Sequence, residues 1–354
     1  MKKINIDELV RPHILHMKPY SSARLEYEGN DGVFLDANEN PYGSVSGGQH
    51  NRYPDPLQMQ IKEKLAKVEQ VREEQIFLGN GSDECIDVLV RAFCEPQKDA
   101  ILVCPPVFSM YEHVAEAQHI DIVRVLLQPE TFQLDMPAIR SKIAQMPNLK
   151  IIFICSPNNP TGNLIHADDI EALLQEFSGL VFVDEAYLDF SGQTTWVHRL
   201  QEFDNLVVIQ TFSKSYGMAD ARLGILYAQE RVVHFMNTIK LPYNVNQYSQ
   251  ELALKALDKI AVKDQYVSEL TAGRDYLMNE LAFIPLVQKV YPSDANYILF
   301  RVQDANALYA YLIQHKIIVR NRDSAPLLKG CLRVSVGTEA ENQRFISVLK
   351  QYSN

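Results

Sequence analysis

The sequence predicts an α/β protein whose large domain has a mostly parallel sheet flanked by helices, followed by a smaller α+β domain. Two observations lead to this prediction. Between residues 76 and 228, short continuous apolar runs alternate with segments of helical period, as expected for parallel strands covered on both faces. After Pro242 the pattern changes to two long helical segments and then to shorter strands and helices.

The predicted strands of the large domain lack the alternation of a half-exposed strand. They are AILVC (100–104), IDIVRVLL (120–127), LKIIFIC (149–155), LVFVDEA (180–186), NLVVIQT (205–211) and RLGILYA (222–228). Apolar residues recur at helical spacing in the segments 86–93 and 170–177, each of which follows acidic residues. These segments are predicted to be amphipathic helices between the strands.

The smaller domain is predicted from a different set of elements. Its helical segments lie near 246–281, 304–316 and 338–351, and its strands are NYILFRV (296–302), IIVR (317–320) and LRVSVG (332–337). The Pro- and Gly-containing start of the chain indicates extended structure. We therefore predict an N-terminal arm (1–35) that joins the small domain, a large domain (36–245) and a small domain (246–354).

Composition excludes several classes of protein. The 354 residues include 34 Lys and Arg against 44 Asp and Glu, a net charge of −10, which argues against nucleic acid or an anionic membrane as the partner. The five cysteines are scattered and never in C-x-x-C spacing, which is typical of a reducing compartment. The sequence shows neither a signal peptide nor an apolar run long enough to span a bilayer. A cytoplasmic protein is expected.

Polar residues follow three of the predicted strands. They are SPNNPTG (156–162), Asp184 with Tyr187, and Ser213 with Lys214. Taken singly, each has an ordinary explanation as a turn, a cap or a solvated charge. Ligands of open parallel sheets, however, bind beyond the carboxyl ends of the strands. The joint pattern therefore favours a functional site over three separate turns.

Pyridoxal 5′-phosphate chemistry needs residues of these types. The cofactor requires a lysine amine for its covalent link, an acid beside its ring nitrogen and an anion site for its phosphate. Gly81-Ser82-Asp83 opens a helix, and backbone N–H groups there, with Ser213 and Arg222, suit a phosphate. Neither a dinucleotide-binding nor a P-loop glycine motif occurs. No zinc motif occurs either, and His13 and His16 are interpreted as surface residues, so no metal is predicted.

The chain resembles the fold-type I family of pyridoxal-phosphate-dependent aminotransferases, nearly from end to end. Within that family it is similar to the histidinol-phosphate aminotransferase group. The motifs that carry the resemblance are KPYSSAR (18–24), LDANENPYG (35–43), RYPDP (52–56), GNGSDE (79–84), SPNNPTG (156–162), VDEAY (183–187), TFSKSYGMADARLG (211–224), SDANYIL (293–299) and LRVSVGT (332–338). One departure is Ala219-Asp220-Ala221-Arg222, where the family usually has Ala-Gly-Leu-Arg. The arginine itself is retained.

The resemblance implies a seven-stranded large sheet and specific roles for residues. Lys214 would carry the cofactor and move the proton, Asp184 would pair with the ring nitrogen, and Tyr187 and Asn159 would bond the ring oxygen. Tyr111 would stack on the ring face. The phosphate would be held by Gly81, Ser82, Asp83, Ser213 and Arg222, with Tyr53 reaching over from a second subunit of a homodimer. Arg333, Arg320 and Tyr20 would bind the substrate anion, and Asn296 is either part of the pocket rim or a turn residue.

The implied reaction is transfer of an amino group between L-histidinol phosphate and 2-oxoglutarate, with imidazole acetol phosphate and glutamate as products, in histidine biosynthesis. A ping-pong sequence is expected. Alternatives on the same fold are a threonine-phosphate decarboxylase and an aromatic or broad-range aminotransferase. A pyridoxal-phosphate-binding transcription regulator would need an added DNA-binding domain, for which the aminotransferase-like region leaves no room.

Overall fold

The structure of the protein is a computed structural model that describes residues 3–20, 32–48 and 50–352. These residues form two β-sheets with helices packed against them. Residues 21–24 of the KPYSSAR motif lie outside the described residues. None of the helices in the described ranges has both the length and the apolar character needed to cross a bilayer.

The larger sheet of the described chain contains seven strands. In chain order they are β1 (Ile76–Asn80), β2 (Ala100–Val103), β3 (Asp121–Arg124), β4 (Leu149–Cys155), β5 (Leu180–Asp184), β6 (Leu206–Thr211) and β7 (Leu223–Ala228). Across the sheet they lie in the order β1-β7-β6-β5-β4-β2-β3. Strands β2 to β6 are parallel, whereas β7 is antiparallel to both of its neighbours. The predicted mostly parallel, seven-stranded sheet is confirmed.

Helices cover both faces of this sheet, namely α3 (Met59–Glu69), α4 (Ser82–Phe93), α5 (Met110–Ala117), α6 (Met136–Gln145), α7 (Ala167–Glu176) and α8 (Glu230–Ile239). Successive side chains of a strand point to opposite faces. Strand β4 accordingly places Ile152 and Ile154 in one core and Ile151 and Phe153 in the other. Burial on two faces explains why the strands are continuous apolar runs.

Two strands of this sheet differ from the sequence prediction. The apolar run 120–127 forms only the short strand β3, and Asp121 and Arg124 are exposed there. Strand β3 is at the edge of the sheet, where one side lacks a neighbour and polar residues are tolerated. Strand β1 is absent from the predicted set because its three apolar residues are followed by Gly79 and Asn80.

The second sheet belongs to the C-terminal part of the chain. Helices α9 (Gln247–Leu257) and α10 (Ile260–Ala282) lead into β8 (Val287–Val290), β9 (Tyr297–Val302), α11 (Ala305–Gln314), β10 (Arg320–Asn321), β11 (Cys331–Ser335) and α12 (Glu339–Gln351). The strands lie in the order β10-β11-β9-β8, and all of their pairings are antiparallel. A separate core, which includes Leu281, Phe300 and Phe345, holds this part together. The domain boundaries after residues 35 and 245 stay a prediction.

The described part of the N-terminal arm is not the extended chain that its prolines suggest. It contains two one-turn helices, α1 (Ile6–Leu9) and α2 (Pro12–Leu15). Proline is tolerated at the first position of a helix, and Pro12 begins α2. Ile6, Val10 and Ile14 are buried in the core of the larger sheet. Residues 3–20 therefore contact the large domain, and the expectation that the arm joins the smaller domain stays a prediction.

Candidate active site

A cavity of about 170 Å³ lies beyond the carboxyl ends of β4, β5 and β6. Its wall brings together most of the side chains that the sequence indicates as a site: Ser82, Asp83, Asn159, Asp184, Tyr187, Ser213, Lys214 and Arg222. The parallel strands explain this convergence, because their carboxyl ends meet at one edge of the sheet. The roles of these residues stay predictions, but their proximity is a property of the fold.

One end of the cavity is suited to an anion. Gly81 precedes α4 in a left-handed conformation (φ +80°), and the first N–H groups of the helix, at Ser82 and Asp83, follow it. The backbone angle favours glycine at this position. A Cβ atom there would lie 2.3 Å from Nη2 of Arg222 and would displace the end of the arginine side chain. The same Nη2 atom lies 3.4 Å from Oδ2 of Asp83. A helix N-terminus beside a guanidinium favours negative charge.

Asp184 is the buried acid of the cavity. It ends β5, and its side chain accepts hydrogen bonds from the Tyr111 hydroxyl (2.6 Å) and from the Ala186 N–H (2.9 Å). Burial raises the pKa of Asp184, while the bond from Tyr111 opposes that effect. A cation placed beside this carboxyl would favour its ionised form.

Lys214 follows β6 and lies in the wall of the same cavity, where its charge lowers the pKa of Asp184. Its Nζ atom lies 5.4 Å from the centre of the Tyr187 ring. Burial lowers the pKa of Lys214, and the charge of Arg333 lowers it further. The lysine also borders a larger cleft of about 760 Å³ that reaches α10 and the start of α12.

The smaller domain contributes Arg333 of β11 to the same region. Its Nη1 atom donates to Oδ1 of Asn159 (2.5 Å), and its guanidinium lies over the Tyr297 ring at 4.9 Å. Asn159 in turn donates to the Tyr187 hydroxyl (3.4 Å). Burial raises the pKa of Tyr187, so its hydroxyl keeps its proton at neutral pH. Arg333 is thus held beside the cavity by an amide and an aromatic ring.

Tyr111, the residue predicted to stack on the cofactor ring, lies in the core next to the cavity. Its side chain is fully buried, and its ring stacks on Phe153 with 4.7 Å between the ring centres. The aromatic residue that lines the cavity is Phe108, which stands edge-on to Tyr111 (5.6 Å, 88°). Helix α5 begins at Met110 and turns Tyr111 into the core, while Phe108 stays at the cavity. The stacking role of Tyr111 stays a prediction.

Four further predicted residues lie outside the cavity wall. Tyr53 is 51% exposed and stacks on Tyr243 with 4.5 Å between the ring centres. Tyr20 lines a separate cavity of about 410 Å³, and Arg320 is exposed. Asn296 is half-buried, and its backbone carbonyl accepts from the Val336 N–H (2.9 Å). Within this single chain, none of these four side chains lines the cavity that contains Lys214.

Sequence reasoning missed Phe108 and Cys155, both of which line the cavity. Cys155 is the last residue of β4, so the strand-end rule that selected Asp184 also selects it. Burial raises the pKa of its thiol well above the ordinary value, so the thiol stays protonated at neutral pH and is a poor nucleophile. Phe108 follows the end of β2, and the same rule applied to that strand would have found it.

The fold and the site together define an enzyme that transfers amino groups, and the chain belongs to the aminotransferase class I and II family. The model of that family matches residues 27–349. The fold class and the aminotransferase activity that the sequence predicts are therefore confirmed.

Curated proteins with similar sequences place the chain in one group within this family. Histidinol-phosphate aminotransferase of Cytophaga hutchinsonii is 50% identical over 348 residues, which are 98% of this chain and 99% of that protein. The enzyme of the same name from Christiangramia forsetii is 45% identical over 356 residues, 100% of both chains. The predicted similarity to this group is confirmed.

A solved structure supports the fold independently. The crystal structure of histidinol-phosphate aminotransferase from Sinorhizobium meliloti, in complex with pyridoxal-5′-phosphate, covers 89% of this chain and 89% of its own. Its TM-score is 0.79 at 21% sequence identity. At that identity the likeness is one of fold.

Proposed function

We propose that the protein transfers the amino group of L-histidinol phosphate to 2-oxoglutarate, with pyridoxal 5′-phosphate as cofactor and a separate half-reaction for each substrate. The observation that carries the proposal is the convergence of Lys214 and Asp184 in one cavity, with Arg333 bonded to Asn159 in its wall. Relatives with 45% and 50% identity that bear the name of this activity support the choice of substrate.

The residues present fit the cofactor. The helix start at Ser82, with Arg222 and Ser213, matches a phosphate, and Gly81 before it has a φ of +80° that favours glycine. The acid of Asp184 matches a protonated ring nitrogen, and Lys214 matches the aldehyde. When bound, the cofactor supplies an electron-withdrawing ring that stabilises negative charge on the substrate carbon.

Lys214 is suited to move a proton. Burial and the charge of Arg333 lower its pKa, so a larger share of the amine is neutral at neutral pH than in an exposed lysine. A neutral amine accepts a proton, and it does so best when its pKa is near the working pH. Nζ of Lys214 would take the proton from the substrate Cα atom and return it during the transfer.

Arg333 is suited to bind the anion that both substrates share. Its Nε atom is buried and has no hydrogen-bond partner among the described residues. Histidinol phosphate presents a phosphate near the reacting carbon, and 2-oxoglutarate presents a carboxylate. The planar guanidinium fork binds either group through two hydrogen bonds, and this orients the substrate as well as neutralising it.

A panel of amino donors tests the proposal. The holoenzyme is given 2-oxoglutarate with L-histidinol phosphate, L-phenylalanine or L-threonine O-3-phosphate, and both glutamate and carbon dioxide are measured. We expect the highest kcat/KM for glutamate formation with histidinol phosphate and no carbon dioxide from threonine phosphate. Carbon dioxide release, or a preference for phenylalanine, would overturn the proposed substrate.

We also propose a homodimer in which Tyr53 of one subunit completes the site of the other. Tyr53 is half-exposed and lies outside the cavity of its own chain. Several large apolar side chains on this part of the chain are exposed, among them Tyr42, Val45, Leu241 and Tyr248. An exposed apolar patch of this kind is a typical subunit interface.

Subunit complementation tests the shared site. Tyr53→Ala and Lys214→Ala homodimers should each be nearly inactive, whereas hybrid dimers contain one site with both native residues. Co-expression of the two variants should therefore restore activity. If hybrids isolated with two affinity tags stay inactive, Tyr53 does not act across a subunit boundary.

A cytoplasmic location is the further proposal that the cysteines support. All five are free and buried, and free thiols persist in a reducing compartment. Cell fractionation that found the native enzyme outside the cytoplasm would refute it.

A further inference from the structure

Arg322 is an additional cation beside the pair formed by Arg320 and Arg333. In the antiparallel pairing of β10 and β11, Arg320 lies opposite Arg333. The N–H of Arg322 donates to the Cys331 carbonyl (3.0 Å), which continues that pairing beyond β10. Because side chains alternate along a strand, Arg320 and Arg322 lie on the same face of the sheet as Arg333.

Among the residues that the structure describes, this cluster of arginines has no anion of its own. Among the described residues, no carboxylate forms a salt bridge with Arg320, Arg322 or Arg333. The Nε atoms of Arg322 and Arg333 are both buried without a hydrogen-bond partner in the described part of the chain. Burial, followed by the charges of Arg333 and Arg320, lowers the pKa of Arg322. Clustered, partly buried cations are costly unless an anion binds them.

The cluster is directed towards the active site. Tyr297 and Tyr187 also lie close enough to Arg322 to influence its pKa. These two rings contact each other edge to face at 5.0 Å, and Arg333 lies over the first of them. Tyr187 is in the cavity wall beside Lys214. An anion bound by Arg322 would thus lie on the side of Arg333 that faces a substrate.

The number of cations indicates which anion is bound. A single guanidinium fork is sufficient for a carboxylate, which carries one negative charge. A phosphate monoester carries about 1.5 to 2 negative charges at pH 7 and has three acceptor oxygens. We propose that Arg322 determines specificity, binding the phosphate of the amino donor together with Arg333 and favouring it over a carboxylate. This inference rests on the function proposed above.

Separate half-reactions test the inference. In Arg322→Gln holoenzyme, the apparent dissociation constant for histidinol phosphate should rise about ten- to hundredfold, as expected for lost hydrogen bonds between charged groups. The dissociation constants of glutamate and 2-oxoglutarate should stay close to the wild-type values. Arg322→Lys should recover part of the affinity for the phosphate substrate because it keeps the charge. Inorganic phosphate should inhibit the glutamate half-reaction of the wild type more strongly than that of Arg322→Gln.

A matched control separates binding from folding. Arg344 is an exposed arginine on α12 whose guanidinium donates to the His315 carbonyl, and Arg344→Gln should behave as the wild type in both half-reactions. Equal loss of affinity for glutamate and histidinol phosphate in Arg322→Gln would show a structural role and overturn the inference. An unchanged affinity for histidinol phosphate would overturn it as well.

Failure of the proposed function gives a different result. The wild type itself would then show no half-reaction with histidinol phosphate. If, in addition, inorganic phosphate inhibited the wild type and Arg322→Gln equally, Arg322 would have no role in binding phosphate.

Discussion

The hydroxyl of Tyr111 donates a hydrogen bond to Oδ2 of Asp184 over 2.6 Å, and both side chains are buried. The Tyr111 ring is held against Phe153, so the donor cannot turn away without disturbing the core. Asp184 is fixed from a second side by the Ala186 N–H. Tyr111 is therefore a positioning residue that orients the acid and favours its ionised form.

Tyr111→Phe removes this donor and keeps the ring. A hydrogen bond to a charged group is worth roughly 1.5–3 kcal/mol, so we expect kcat to fall about ten- to a hundredfold while the melting temperature changes little. Tyr309→Phe is a suitable control because Tyr309 packs against the core of the smaller domain. An unchanged kcat in Tyr111→Phe would mean that Asp184 needs no support from the hydroxyl.

Phe108→Leu tests the aromatic wall of the cavity. Phe108, and not Tyr111, borders the space beside Lys214 and Asp184. Aromatic pairs contribute about 0.5–1.5 kcal/mol beyond the burial of area, so the dissociation constant of pyridoxal phosphate should rise several-fold. Titration of the apoprotein with the cofactor measures this constant. If cofactor affinity were the same as in the wild type, the ring face would not be covered by Phe108.

Arg333→Ala should impair both half-reactions. Truncating one partner of a buried charge pair costs about 2–5 kcal/mol, and kcat/KM should fall accordingly with histidinol phosphate and with 2-oxoglutarate. Arg333→Lys should recover little because it lacks the two-point geometry of the guanidinium. Rapid mixing with each substrate and a melting curve provide the measurements. A variant that melts early but turns over normally at low temperature would show that Arg333 is structural.

The fold buries Lys62 and thereby disfavours the charged form of its side chain. Lys62 lies on α3, is 4% exposed, and burial, followed by the charge of Lys240, lowers its pKa from 10.5 to about 8. Below pH 8 the unfolded state carries the charge in water while the folded state carries it buried. The penalty is therefore complete at neutral pH and declines as the pH rises from about 8 towards 10.5.

Lys62→Met should remove that penalty. We expect the free energy of unfolding at pH 7 to rise by roughly 2–3 kcal/mol, and the gain should disappear as the pH approaches 10.5. Lys67→Met on the same helix is the control, because Lys67 is exposed and paired with Glu63. Melting temperatures over a pH series measure the difference. A gain that is equal at pH 7 and pH 10 would exclude a buried charge as its cause.

The sequence predicts the central part of this site well because the rule behind it is simple. Asp184 ends β5 and Lys214 follows β6, both of which begin with a continuous apolar run, and parallel strands bring their carboxyl ends to one edge. Tyr111 and Phe108 are three residues apart, and the sequence does not say which one faces the cavity. Only the start of α5 at Met110 settles it.

Short and exposed elements are harder to predict. Strand β8 contains only half-buried and exposed residues, so it has no clear apolar pattern. Strand β10 spans only Arg320–Asn321 and follows the apolar residues 317–319, which are predicted to form the strand. The role of Arg322 depends on the pairing with β11, which joins residues that are far apart in sequence. An arginine by itself indicates an exposed charge.

A single-turnover cycle of the holoenzyme tests the central claim most directly. The holoenzyme is mixed with L-histidinol phosphate in the absence of an acceptor, and the visible absorption of the cofactor's aldehyde form is followed. We predict that this absorption disappears with one equivalent of imidazole acetol phosphate formed per site, and that 2-oxoglutarate then restores it with one equivalent of glutamate. Persistence of the absorption after histidinol phosphate, or its failure to return with 2-oxoglutarate, would contradict the account.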